Sequence, residues 1–259
     1  MGSLDGKAFE SIFKEVPRKA IVGKNKTIFY VQPGALLQGN SVLTARLTGP
    51  WKNAGPETLD WSVFDEETID CVLRFCYGQR KYDIPWQSDI GKGESEPEPK
   101  LTEPDADTDA KTGTSLDTRS YTGDAIVLHA KVYSFGHQYL MEDLKSFAVT
   151  QMNGCFEPCL KECRSSPRAT SLCLAEAVRI IYENTLSSNT KMDPARKELC
   201  AFIASSYENL SPYFAQFHEG TGNFMVDLAR NLATLLQSFK NNRKLCPTDR
   251  QRRRHHPLT

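Results

Sequence analysis

The chain has 259 residues, 39% hydrophobic and 25% charged, and its 32 Lys and Arg balance 32 Asp and Glu for a formal net charge of zero. That balance argues against a protein that grips nucleic acid through the phosphate backbone, which needs a basic excess. No apolar run approaches the roughly 20 residues that a membrane-spanning helix requires, and the start MGSLDGKAFESIFKEVPRK has neither an apolar signal core nor a small-residue cleavage site. The expected location is therefore the cytosol, the nucleus or both, with no membrane partner. Gly6 stands where an N-myristoylation pattern requires Ser or Thr, which discounts a lipid anchor. Eight cysteines in an intracellular chain of this size read as buried free thiols.

In chain order, Phe9, Ile12, Phe13 and Val16 have helical spacing over residues 7–16, and Pro17 ends that segment. Residues 19–22 and 27–31 are two short runs of β-formers around a Gly/Asn turn, which predicts a β-hairpin stopped by Pro33-Gly34. Residues 35–47 read as a helix, or as two short helices meeting near Gly39-Asn40, and residues 58–61 as a brief strand. Residues 64–77 predict a helix capped by Asp65, with Glu66 and Glu67 at its positive end. Ile69, Val72, Leu73 and Cys76 share its apolar face, and Gly78 stops it.

Residues 88–123 hold nine acids, four bases, three prolines and almost no large apolar side chain. Such a segment buries too little surface to offset its ordering entropy, so it is expected to be a disordered insertion. From Asp124 the pattern is helical. Leu128, Val132, Phe135 and Tyr139 are spaced for one face, Leu140, Leu144, Phe147 and Ala148 continue a second helix, and Leu174, Val178, Ile181 and Tyr182 mark a third. Asp193-Pro194 is a helix start with Asp as cap and Pro at the first helical position, followed by Leu199, Phe202, Ile203 and Leu210. Phe224, Leu228, Leu232, Leu235 and Phe239 define the last helix, and residues 240–259 read as a disordered basic tail.

This order of elements resembles a BTB/POZ domain, and specific stretches carry the likeness. Phe29-Tyr30-Val31 looks like the strand entering the family's first helix pair, and Leu36-Leu37 followed by Ser41 looks like part of that pair. Leu47-Thr-Gly-Pro-Trp-Lys52 looks like the loop that follows it. Asp65-Glu-Glu-Thr68 with Phe75-Cys76-Tyr77, and His129-Ala-Lys-Val-Tyr133 continuing to Tyr139 with Leu144-Lys145, resemble the family's later helices. The acidic stretch before Leu128-His-Ala-Lys-Val-Tyr133, together with Val178-Arg-Ile-Ile-Tyr-Glu-Asn-Thr185 and residues 222–230, is similar to the filamentous-fungal branch of the family. The likeness covers residues 9–239.

The resemblance implies an α+β fold, a small sheet wrapped by helices over residues 9–156 and interrupted at 88–123. A short N-terminal tail (1–8) precedes it, and a helical extension (157–239) packs on it. It implies a non-catalytic role in binding other proteins, with a cullin-type ubiquitin ligase as one expected partner and a homodimer left open. The partner contact falls on Leu47, Trp51, Lys52 and Asn53. Family members that bind cullins carry Glu where this chain has Asn53, which implies weak cullin binding or none. Arg18-Lys19 and Gln32-Pro33 stand where dimeric members build a charged pocket, so that pocket is not carried over.

The candidate chemistry is sparse. Cys155, Cys159 and Cys163 recur every four residues and would share a helix face, but Pro158 interrupts them and no His lies close in sequence. Buried thiols are thus preferred over a metal site. Cys246, His255 and His256 fit no ligand spacing. His129 and His137 are expected to face the core edge and solvent, one each. No nucleophile elbow, phosphate-binding glycine loop or HExxH pair is present, so no enzyme, cofactor or metal is expected. Arg243, Lys244, Arg250, Arg252, Arg253 and Arg254 form the one basic cluster. Its residues 250 and 252–254 read as a nuclear-import signal, or equally as a solvated tail, and they carry the alternative role of a nuclear or chromatin-associated factor.

Overall fold

The computed structural model describes residues 16–36, 42–43, 58–78, 80–84, 121–186, 192–217 and 222–244. All but Val16 of the helix expected over residues 7–16, and most of the acidic stretch 88–123, lie outside the described residues; Val16 itself is exposed and not helical.

Strand β1 (Arg18–Val22) pairs antiparallel with β2 (Thr27–Val31), from Arg18 opposite Val31 to Val22 opposite Thr27. The hairpin turns through Gly23 at φ 68° and Lys26 at φ 55°, and Lys26 N donates to Gly23 O over 3.1 Å. Gly23 is suited to that left-handed conformation because it lacks a Cβ. Strand β3 (Thr58–Trp61) lies parallel to β1 on its other side, giving the order β2-β1-β3. A parallel neighbour needs a crossover instead of a tight turn. The described part of that crossover is helical, a turn at Pro33–Leu36 and then Val42-Leu43. Ala20, Val22, Val31, Leu59 and Trp61 fill the inner face of the sheet, while Ile28, Tyr30 and Asp60 stay exposed on the outer one.

Helix α1 (Glu66–Tyr77) starts as its sequence dictates. Asp65 accepts from Thr68 N at 2.8 Å, and Gly78 N donates back to Arg74 O. Its buried face is rotated from the expected one. Thr68, Ile69, Cys71, Val72 and Phe75 are buried, whereas Leu73 and Cys76 lie only partly covered at the edge.

Helix α2 (Tyr121–Gln138) begins three residues before Asp124, inside the stretch expected to be an insertion. It is buried on nearly every side, including the polar His129 and Ser134, and not on one face as its spacing suggested. The reason is its position, with α1, α3 (Glu142–Ser165) and α4 (Pro167–Asn184) all packed against it. At its end, a Cβ on Gly136 would come within 3.0 Å of Lys145 Cγ, so the glycine sets how closely α2 and α3 approach. Leu140 belongs to neither helix. It sits in the intervening turn at φ 54° and is exposed.

Helix α3 runs unbroken through Pro158, which lies on its exposed side, and also through the 156/157 division between core and extension. The helical part continues with α5 (Pro194–Ser205), a short turn at Tyr207–Leu210, a 3-10 segment at Ser211–Phe217 and α6 (Gly222–Lys244). Asp193 caps α5 by accepting from Ala195 N and Arg196 N, with Pro194 at its first position as expected. Helix α6 passes residue 239, where the basic tail was expected to begin just beyond, and reaches Lys244. One continuous cluster of buried side chains joins Ala20 of β1 to Leu228 of α6. The loose α+β class is thus borne out, in a chain whose described part is mostly helical with one small mixed sheet.

Candidate interaction surfaces

The described cysteines and histidines are buried wholly or in part. Cys71, Cys155, Cys159, Cys163 and Cys200 are buried, Cys76 and Cys173 partly so, and none of the described cysteines is in a disulfide. Burial pushes the thiols of Cys71, Cys76 and Cys173 up to about 12 and that of Cys200 to about 11, and raises Cys159 and Cys163 as well. A thiol is nucleophilic or metal-binding as its thiolate, and these sites disfavour it. Cys155, Cys159 and Cys163 do share one face of α3, and that face points into the core. Among the described residues, no group of three or more His, Cys, Asp or Glu side chains is placed to hold a metal ion. No described helix is long and apolar enough to cross a membrane.

Neither of the two described histidines faces solvent freely. His129 is 1% exposed, with Nδ1 2.9 Å from the Tyr82 hydroxyl. His137 is partly buried and stacks on Tyr133 at 6.3 Å. Burial holds the His129 pKa down to about 4 against an ordinary 6.5. As pH falls, the unfolded chain takes up this proton before the folded chain does, so acid favours unfolding. The neutral ring's contribution is complete above about pH 6.5 and is lost between there and about pH 4. Lowering pH from 7 to 5 is expected to remove about 2 kcal/mol through this group alone. Urea unfolding of the native chain and His129→Gln checks this. The variant should lose much less stability over that interval, and parallel pH curves would count against the assignment.

A groove of ≈ 230 Å³ opens where the β3–α1 junction meets α2 and α4. Its charges come from Asp65, Lys131, Glu176, Arg179 and Glu183, with Phe64 and Ile180 as apolar wall. Lys131 Nζ lies 2.5 Å from Asp65 Oδ2. Burial acts to raise the Asp65 carboxyl, but hydrogen bonds from Lys131 and Thr68 outweigh it and hold the group below its ordinary range. Arg179 is bound at 2.6 Å to Glu176 and at 2.8 Å to Glu183. The hydrogen bonds from Arg179 likewise lower the Glu176 carboxyl. Both cations of the groove are thereby committed to carboxylates. What remains is a polar wall of three carboxylates against two cations, with the exposed Val63 at its rim, suited to rim contacts of a protein partner.

Sequence reasoning missed Arg196, whose side chain is 1% exposed on α5. Its Nε donates to Thr185 Oγ1 at 2.7 Å, its Nη2 donates to the carbonyls of Tyr182 and Thr185, and its guanidinium lies 4.3 Å from the Tyr182 ring centroid. The Tyr182 hydroxyl in turn donates to Asp227 Oδ2 of α6 at 3.1 Å. This chain of contacts ties α4, α5 and α6 together. No local signal marks such an arginine, since the residue type is ordinarily exposed.

A second exposed feature is the outer side of α6, where Leu236 and Phe239 are 61% and 64% exposed. Phe239, one of the apolar residues from which the last helix was read, points out. The contact expected on Leu47, Trp51, Lys52 and Asn53 lies outside the described residues, as do Arg250, Arg252, Arg253 and Arg254. Compared with known proteins, the chain matches no family model, no curated protein and no solved structure.

Proposed function

We propose that the chain is a non-catalytic protein-interaction module of BTB/POZ type, with its partner contact on Leu47, Trp51, Lys52 and Asn53. The observation that carries this reading is the order of elements. A hairpin, a crossover whose described part is helical and a third strand returning parallel to the first are followed by α1, ending in Phe75-Cys76-Tyr77-Gly78. Then comes α2, in which the Leu128–Tyr133 stretch is almost wholly buried. This is the order that the resemblance implies. The reading is also supported by thiols and a histidine held in their neutral, buried forms, which suits a scaffold more than a reaction centre.

A cullin is one expected partner of the contact segment, bound weakly or not at all because Asn53 brings no charge. Affinity purification with mass spectrometry, run on the native chain and on Trp51→Ala, tests the assignment. Truncating a central aromatic anchor costs about 2 kcal/mol or more, so the specific partners should fall by about tenfold or more. An unchanged partner set would remove the contact from this segment. The basic run at Arg250, Arg252, Arg253 and Arg254 favours a second reading, a nuclear interaction factor. Its test is a fluorescent fusion that leaves the nucleus when these four are changed to Ala.

A further inference from the structure

We infer that the groove between α1, α2 and α4 is a second binding site, which takes one arginine side chain of a protein partner. Helix geometry lays out its walls. Lys131, Ser134 and Gln138 lie three and four residues apart on α2, and Glu176, Arg179 and Glu183 follow the same steps on α4. Residues so spaced share a face, so each helix presents one polar row to the groove. Asp65, which caps the start of α1, adds a third wall.

Size and charge select the occupant. The groove's ≈ 230 Å³ falls short of the roughly 300–1,000 Å³ of pockets that enclose a whole small ligand. It suits a single long side chain instead. The sign of that side chain follows from the ion pairs. Lys131 is taken by Asp65. Arg179 engages both oxygens of Glu176, from Nε to Oε2 at 2.8 Å and from Nη2 to Oε1 at 2.6 Å. It reaches only Oε2 of Glu183, at 2.8 Å. The third carboxylate therefore shares its cation and keeps Oε1 free to accept. An incoming cation completes this balance, whereas an anion meets no uncommitted cation among the groove's residues.

A second, independent observation is Ser134. It is 4% exposed and lines the groove, yet its hydroxyl has no hydrogen-bond partner among the described residues. Other helical hydroxyls of this chain return to a backbone carbonyl three or four residues back, as Thr150 does to Ser146 and Ser171 to Arg168. Buried polar groups are ordinarily hydrogen-bonded, so this one is left for what enters the groove. A guanidinium carries five N–H donors in a planar fork, enough to serve the Glu183 carboxylate and the Ser134 hydroxyl together. Its methylene stem finds an apolar wall in Phe64 and Ile180. The groove shares no residue with the segment assigned to a cullin, so this inference stands or falls separately from that reading.

Nuclear magnetic resonance titration of the isotope-labelled full chain tests it, with acetyl-Gly-Arg-Gly-amide as the probe. Backbone amides of residues 63–65, 131–138 and 176–184 should shift together, with a Kd of about 1–10 mM for a lone side chain. The same peptide with citrulline, which keeps the shape and loses the charge, should bind at least about tenfold more weakly. Glu183→Gln should weaken the arginine peptide about fivefold to tenfold and Ser134→Ala about threefold, both with unchanged circular dichroism. Glu157→Gln, which alters an exposed carboxylate of α3 outside the groove, should leave binding as it is. Amides that do not move at about 50 mM arginine peptide would overturn the inference. So would a citrulline peptide that binds as well, or binding indifferent to either Glu183→Gln or Ser134→Ala. Shifts of these amides by acetyl-Gly-Asp-Gly-amide but not by the arginine peptide would show a site for anions and overturn it too.

Discussion

Phe135→Ala is expected to lower the free energy of unfolding by about 3–5 kcal/mol, close to the whole stability of a modest domain. Phe135 is fully buried on α2, and its ring joins two parts of the molecule. Its centroid lies 5.4 Å from that of Trp61 on β3, 5.0 Å from Phe64 beyond the strand, and 4.5 Å from Tyr139 past the end of α2. Removing the ring takes away apolar transfer energy and leaves a cavity that strand and helix together must close. Because the lost contacts include Trp61, the damage should reach the sheet. Equilibrium unfolding followed by tryptophan fluorescence and by far-ultraviolet circular dichroism would show it. A loss under about 1.5 kcal/mol would mean that the site collapses around the gap or that the sheet does not depend on this ring.

The largest expected effect comes from Ile181→Asp. Ile181 is fully exclusive of solvent on α4, the helix laid against α2. A carboxylate there loses its hydration and either remains charged without a partner or is forced neutral. Either costs about 4 kcal/mol or more. The variant is expected in the insoluble fraction, while Ile181→Val, which removes one methyl, should cost only about 1 kcal/mol and stay soluble. The same packing predicts the fate of a fragment ending at residue 156. The cut falls inside α3 and removes α4, uncovering the apolar flank of α2, so such a fragment should aggregate. A monodisperse fragment would show that the helical part is not needed to cover the first half.

The features legible in the sequence are those set by local chemistry. Asp65 and Asp193 cap helices because a short acidic side chain can reach free backbone N–H groups two or three residues on. The hairpin follows from two β-prone runs around Gly23. What the sequence leaves hidden depends on distant partners. The parallel pairing of β3 with β1 joins residues far apart in the chain and has no local signature. Leu140 read as a helix residue, but the close approach of α3 to Gly136 turns the chain there. Helix α2 read as one-sided because Ser134 and His129 interrupt its apolar pattern, yet both are buried where three helices converge. The groove was not visible for a similar reason. Its charged residues come from three separate stretches, near 65, 131 and 176–183. Phe239 was read as one of the residues defining the last helix, and its spacing alone does not say that it points out of the molecule.

Calorimetry with a purified cullin N-terminal domain tests the proposed partner contact most directly. A charge-assisted hydrogen bond contributes about 1.5–3 kcal/mol and a neutral one about 0.5–1.5, so replacing the family's Glu by Asn53 should cost about 1 kcal/mol. The native chain should bind weakly or not measurably, and Asn53→Glu should strengthen binding by up to about tenfold. Submicromolar binding by the native chain, unaffected by Asn53→Glu, would contradict the account.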